Sequence, residues 1–284
     1  ALLTIEKLNE SLNLNIDSEF LIQGDSTITT FKKEITDLFI ISSNDSYNRL
    51  FEFLGQDYIN EKLKQKGFED FSISHRLSTI NSNESKTKEI KFYKAGRVFQ
   101  IQKSIHNKPL PKLNLKNLNK GIGFILDNEL QNKAMDFSRK NYFSIEELNN
   151  LLICLFFPED SKNKKFNLSK SQHILIKKLM SSTPFEMGFD KNMYPNNYNK
   201  FFVSGDNDGM INDNIYNKVG NAYGYSIDNA YVYDKISDRH FVLSACIYTN
   251  ANNILNDNNY EYDEIGIPFL AEIGRLLTKY KIKQ

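Results

Sequence analysis

Cysteine is scarce in this chain, and its scarcity excludes two classes of protein. The two thiols among 284 residues, Cys154 and Cys246, lie far apart in contexts that read as core helix and core strand. They cannot make a disulfide framework or a thiolate metal centre, and both are expected as buried, inert thiols. Net charge is scarce too: 36 Lys and Arg against 35 Asp and Glu leave +1, which gives no electrostatic case for nucleic acid or an anionic membrane as partner. No apolar run approaches a membrane span; LLICLFF, Leu151 to Phe157, stops at Pro158, so no transmembrane segment is expected. The four histidines, His75, His106, His173 and His240, lack metal-ligand spacing, so no metal and no cofactor is expected. A capping residue is missing before the first helix, ALLTIEKLNESLNL, where Leu2, Ile5, Leu8 and Leu12 recur at helical spacing. The expectation is that an upstream segment has been removed, so the missing targeting signal carries little information.

The composition that remains, 40% hydrophobic and 25% charged, is that of an ordinary globular protein with ample core. In YNRLFEFL, Tyr47, Leu50, Phe51 and Leu54 share a helical face, and DYINEKLKQKG reads as a helix closed by Gly67. Capping boxes Ser144/Glu147 and Ser169/Gln172 open two further helices, the first running to Phe157. Glu89 to Gln102 alternates like a hairpin around Ala95-Gly96, and a Lys/Asn/Leu-rich stretch without a clear period follows. Near the end the period changes: GYSIDNAYVYD and HFVLSACIYT, joined by KISDR, read as an antiparallel pair. A terminal helix from about Asp263 carries a stripe of Ile265, Phe269, Ile273, Leu276 and Tyr280. Ser204 to Asn214 (SGDNDGMINDN) has its glycine too early for an EF-hand loop and reads as a polar turn.

Two short motifs carry chemistry. Ser42 and Asn44 sit two residues apart before an amphipathic helix, and Lys218-Val219-Gly220 lies on a β-rich run. Each has a plain structural reading: a helix cap for the first, an edge lysine with a bend-forming glycine for the second. Taken together and in this order, SSNDSYNRLFEFLG and KVGNAYGYSIDNAYVYD resemble the second and third motifs of the penicillin-recognising serine hydrolases, in particular the class A β-lactamase-like group. DRHFVLSACIYTN and the terminal helix resemble that family's last strand and last helix, and ALLTIEKLNESL resembles the helix following its nucleophile.

The resemblance implies an α/β (α+β) fold, an antiparallel sheet flanked by helices plus a mainly helical lobe, in one serine-hydrolase domain over 1–284. The helical lobe would run over about 1–203, and the sheet lobe with the terminal helix over about 204–284. It implies acyl transfer to serine and hydrolysis of an amide or ester, with a small-molecule or peptide-like substrate, in an exported or periplasmic setting. Ser42 would pass a proton, Asn44 would position substrate, and Lys218 would supply positive charge for a substrate carboxylate. Gly220 would let substrate approach the strand edge, with Val219 and Asn221 beside it.

The sequence departs from the family pattern. The Ser-x-x-Lys nucleophile motif is missing before Ser42, and Ser85 to Lys88 and Ser161 to Lys164 read as coincidental matches. Ser43 stands where the family has aspartate, and Val219 where it has threonine. Arg76 matches the arginine of the loop that carries the deacylating glutamate, but that glutamate's position falls near Asn81, with Glu84 only nearby. A poor β-lactamase is therefore expected, and the alternative is a non-catalytic binding or sensor module on the same fold. Tyr223, Tyr225 and Tyr231 either line a site or pack on a sheet face.

Overall fold

In a computed structural model, residues 1–159, 165–207, 215–234 and 238–279 are described. In chain order they form α1 (Leu2–Asn9), β1 (Glu19–Ile22), β2 (Thr29–Thr30), α2 (Phe31–Ile40), α3 (Asn44–Leu54) and α4 (Gln56–Gln65). Next come β3 (Phe71–Ser72), β4 (Ile90–Lys94), β5 (Arg97–Gln102), β6 (Asn119–Lys120), β7 (Gly123–Leu126), β8 (Glu129–Gln131), β9 (Met135–Asp136) and β10 (Tyr142–Phe143). The chain continues through α5 (Ile145–Phe156), α6 (Lys170–Ser181), β11 (Ile215–Ala222), β12 (Tyr225–Asp234), β13 (Arg239–Tyr248), β14 (Ile254–Leu255) and α7 (Ile267–Lys279). The protein is thus a mixed α/β chain whose sheets are largely antiparallel. No described helix is long and apolar enough to cross a membrane.

The chain divides into two compact units. The first unit holds Ala1–Pro111, Lys140–Glu147 and Ile153–Leu179; the second holds Lys112–Arg139, Leu148–Leu152 and Met180–Gln284. Residues 112–139 join the second unit because β7 pairs in parallel with β14, Gly123 opposite Ile254 and Phe124 opposite Leu255. The stretch before residue 203 holds the strands β1 to β10 beside the helices α1 to α6. The strand runs of two to six residues are mostly too short to show a period of two in sequence.

The first unit is built on a four-stranded antiparallel sheet in the order β2-β1-β4-β5. The β4-β5 hairpin turns at Ala95 and Gly96, with φ of 50° and 73°, the pair of positive values that a two-residue turn matching strand twist requires. Phe20, Phe31, Phe53 and Phe92 meet in the core, with Phe20 and Phe31 stacked at 4.4 Å between centroids and Phe31 4.6 Å from Phe53. Leu50, Phe51 and Leu54 of α3 are buried as the helical face requires. Leu12 is not: α1 ends at Asn9 and Leu12 is 100% exposed. Ser169 and Gln172 make the full reciprocal cap. Ser144 accepts from Glu147 N, whereas the Glu147 carboxylate accepts from Glu69 N and the Ser144 N–H donates to Asp70 O.

The second unit centres on the antiparallel sheet β11-β12-β13. Its register runs from Lys218 opposite Asn229 and Gly220 opposite Ile227 to Tyr225 opposite Tyr248. One face buries Ile215, Val219, Ala230 and Val232 against Phe201, Phe202, Val203 and Leu270. Of the stripe read from spacing, Ile273 packs on the core and three others do not. Ile265, Phe269 and Leu276 are exposed, while Leu270 and Ala271 are fully buried and Ile267 and Ile273 pack on the core. A glycine explains the turned face: a Cβ on Gly274 would stand 2.6 Å from Val203 N, so α7 approaches the chain closely there. Cys154 is buried, but Cys246 is exposed, because β13 directs it away from the face that packs Ala245 and Ile247. Tyr280, the residues 235–237 of the KISDR turn, the Ser161 to Lys164 match and residues 208–214 of the polar turn lie outside the described residues.

Candidate functional site

The candidate residues fall in both units. In the first, Ser43 and not Ser42 caps α3: its hydroxyl accepts from Ser46 N at 3.1 Å. Ser42, one residue earlier, is half-buried and held at φ 51°, a left-handed conformation that costs a residue with a Cβ about 1–2 kcal/mol. Asn44 is the first residue of α3, exposed, and its Nδ2 donates to Ser78 Oγ at 2.9 Å. The loop carrying Ser78 is tied to the same helix by a reciprocal pair, Asn48 Nδ2 to Leu77 O and Leu77 N to Asn48 Oδ1, both 2.8 Å.

Arg76 anchors that loop from within. Its Nε and Nη2 reach the two oxygens of Glu52 at 2.5 and 3.0 Å, and its remaining donors meet Glu84 O and Lys86 O. The second Glu52 oxygen also accepts from Lys88 N. His75 is buried beside it and hydrogen-bonded at both ring nitrogens, to Arg76 O and from Asn141 N, a structural role. Burial holds it below the usual histidine range. A polar cavity of about 270 Å³ lies against this loop, lined among others by Asp45, Arg49, Arg76, Ser78, Asn81 and Glu84. It includes Ser78, the partner of Asn44, but neither Ser42 nor Asn44.

In the second unit Lys218 and Gly220 lie within β11, sharing the half-exposed face, while Ile215, Asn217 and Val219 face the core. β11 is an edge strand among the described residues, paired only with β12. The Lys218 ammonium donates to Val219 O at 2.8 Å, and loss of water around it lowers its pKa to about 8, against the pull of Asp228. The face at Gly220 is open: a Cβ there would meet only Ile227 Cγ2, at 3.5 Å. Asn221 is exposed at the strand's end, whereas the Val219 side chain is spent on the core. Tyr223, at φ 53°, begins the β11-β12 turn and packs edge-on against Phe137.

Behind β11 lies a group of residues that sequence reading missed. Lys200 is buried and donates to Met180 O and Asn217 Oδ1, both at 2.8 Å. Asn217 Nδ2 donates to Asn199 O and to both Asp228 oxygens, and Asp228 also accepts from Phe202 N at 2.9 Å. A signal was available: period two puts Asn217 on the same face as Ile215 and Val219, a polar residue on an apolar stripe. Among the described residues no group of His, Cys, Asp or Glu could hold a metal ion. No family model matches the chain, and no curated protein matches it.

Proposed function

We propose that the chain carries the proton-shuttle and substrate-binding parts of a serine hydrolase of the β-lactamase-like kind, acting by acyl transfer to serine and hydrolysis of an amide or ester. The observation that carries this reading is Lys218, a desolvated ammonium beside the open face of Gly220 on an edge strand. A cation with little water around it attracts a substrate carboxylate more strongly than a solvated one. The strand edge next to it, paired among the described residues only with β12, is of the kind that offers main-chain partners to an extended acyl or peptide group. Ser42, held in a strained conformation at the start of α3, is the assigned proton shuttle, and strain of this kind clusters at functional positions. Asn44 positions the substrate, with Ser78 steadying its amide. Slow deacylation follows from the exposed position of Glu84, which the buried Arg76 grips by its backbone carbonyl. The setting proposed is exported or periplasmic, as for the family.

One observation favours a second reading, a binding or sensor module that kept the fold without the chemistry. The residue at the family's threonine position, Val219, is packed in the core, so no hydroxyl reaches a substrate carboxylate there.

Intact-protein mass spectrometry of the natural polypeptide after treatment with a fluorophosphonate probe, and separately with a penicillin, tests the two. The hydrolase gives a stoichiometric adduct on one serine with the probe, and a long-lived one with penicillin. Ser42→Ala slows labelling by about 100-fold. A folded sample that forms no adduct with either reagent leaves the binding module.

A further inference from the structure

Lys200, Asn217 and Asp228 come from three places in the second unit, the residue after the 3-10 turn Asn196–Asn199, β11 and β12. Their exposed fractions are 2, 3 and 0%. They are sealed beside the apolar cluster of Phe201, Phe202, Ile215, Val219 and Ala230. Asn217 stands between the two charged groups, accepting from Lys200 and donating to Asp228. Charge in such a place is rarely the most stabilising choice, since well-packed apolar residues of similar volume often do as well or better. The amide that joins the charges belongs to the residue immediately before Lys218, on the opposite face of the same strand.

We propose that Lys200, Asn217 and Asp228 form a positioning device for Lys218, which holds the β11 backbone from behind and sets the charge of the Lys218 ammonium through the field of Asp228. The inference rests on the reading above only in giving Lys218 a substrate to meet. The charged groups facing the trio are Glu186, on the short turn Phe185–Met187, and Lys218 itself. Asp228 favours the ammonium form of both lysines, and the Lys218 ammonium disfavours that of Lys200. Desolvation brings all three groups towards neutrality, Lys200 down to about 7, Lys218 down to about 8 and Asp228 up to about 6. The trio and Lys218 therefore exchange charge over a narrow span of pH, and the cation offered on the open face depends on groups that no substrate touches.

The test is NMR titration of the lysine side chains, ¹³C-labelled at Cε, in the natural protein and two variants. In Asp228→Asn, which keeps an acceptor oxygen, the Lys218 and Lys200 midpoints both move to lower pH, by about 1 unit. In Lys218→Met, altered on the half-exposed face, the Lys200 midpoint moves up. Shifts of opposite sign are what electrostatic coupling gives and what a purely structural network does not. An unmoved Lys218 midpoint in folded Asp228→Asn overturns the proposal. If that variant fails to fold, an unmoved Lys200 midpoint in Lys218→Met overturns it instead. The readout is independent of turnover. Expected titrations without serine labelling would defeat the hydrolase reading alone, and labelling without the shifts would defeat this inference alone.

Discussion

Both units bury charge, and they do it by opposite means. In the first, Arg76 and Glu52 meet directly, two guanidinium nitrogens on two carboxylate oxygens, with the remaining capacity taken up by Glu84 O, Lys86 O and Lys88 N. In the second, an amide separates Lys200 from Asp228, and both groups are pushed towards their neutral forms. A fork in contact acts as a clamp, because each charge is matched where it stands. Charges parted by a neutral bridge keep most of their desolvation cost, so they titrate within reach of ordinary pH. The first arrangement suits a loop that must be held, and the second suits a strand whose surface charge is to be set.

The largest effect expected from breaking this contrast is that of Arg76→Met. It leaves the Glu52 carboxylate buried with Lys88 N as its remaining donor among the contacts above, and should cost about 3–5 kcal/mol in urea unfolding. A cost below about 1 kcal/mol would mean that the fork is not a clamp. Next come the two hairpin turns, one per unit and alike in backbone: Ala95-Gly96 at φ 50° and 73°, Tyr223-Gly224 at 53° and 85°. At Gly96 a Cβ would meet nothing within 4 Å, whereas at Gly224 it would stand 2.9 Å from Thr249 O and 3.0 Å from Asn250 Cβ. Gly224→Ala should therefore cost about 2–4 kcal/mol and Gly96→Ala about 1 kcal/mol. Equal melting temperatures for the two would refute the difference.

Lys200→Met is expected to cost about 1–3 kcal/mol, for Met180 O and Asn217 Oδ1 left without their donor. Its cost should also change with pH in a fixed direction. Lys200 is held near 7 in the fold against 10.5 in the unfolded chain, so between those values only the unfolded chain binds the proton. The natural protein then gains stability as pH rises from 7 towards 10.5, and the variant lacks that gain. The difference between them should widen from pH 7 to pH 9.5 in parallel urea titrations. Arg76→Met retains Lys200, so its difference from the natural protein lacks this slope. A Lys200→Met difference that stays level from pH 7 to pH 9.5 would put the ammonium, and not the amine, in the folded core over that range.

How far the sequence could reveal these features follows from the range of the forces behind them. Local patterns were legible: the Ser169/Gln172 box, the hairpin at Ala95-Gly96, the α3 face of Leu50, Phe51 and Leu54, and the β12-β13 pair all rest on neighbours within a few residues. Long-range packing was not. Nothing local says that residues 112–139 belong with β14, or that Gly274 turns α7 so that Leu270 and Ala271 go inside and Phe269 outside. Short strands such as Glu19–Ile22 carry too few residues for a period to stand out. At the candidate site the motif residues were legible, but the supports behind them, Arg76–Glu52 and Lys200–Asn217–Asp228, join residues 11 to 28 positions apart and emerge only once strands and loops are paired.

The smallest expected effect on stability separates the two serines of the Ser42-Ser43-Asn44 motif. Ser43→Ala removes the oxygen that accepts from Ser46 N and should cost about 1 kcal/mol, with the rate of fluorophosphonate labelling left within about 2-fold, since a cap acts on the helix and not on the reagent. Ser42→Ala keeps the left-handed backbone and takes only a hydroxyl, so the labelling rate should carry its main effect. Measured side by side, melting temperature should respond chiefly to residue 43 and labelling chiefly to residue 42. If both readouts followed Ser43, the motif would be a helix cap and nothing more. Lys218 would then stand on an ordinary protected edge.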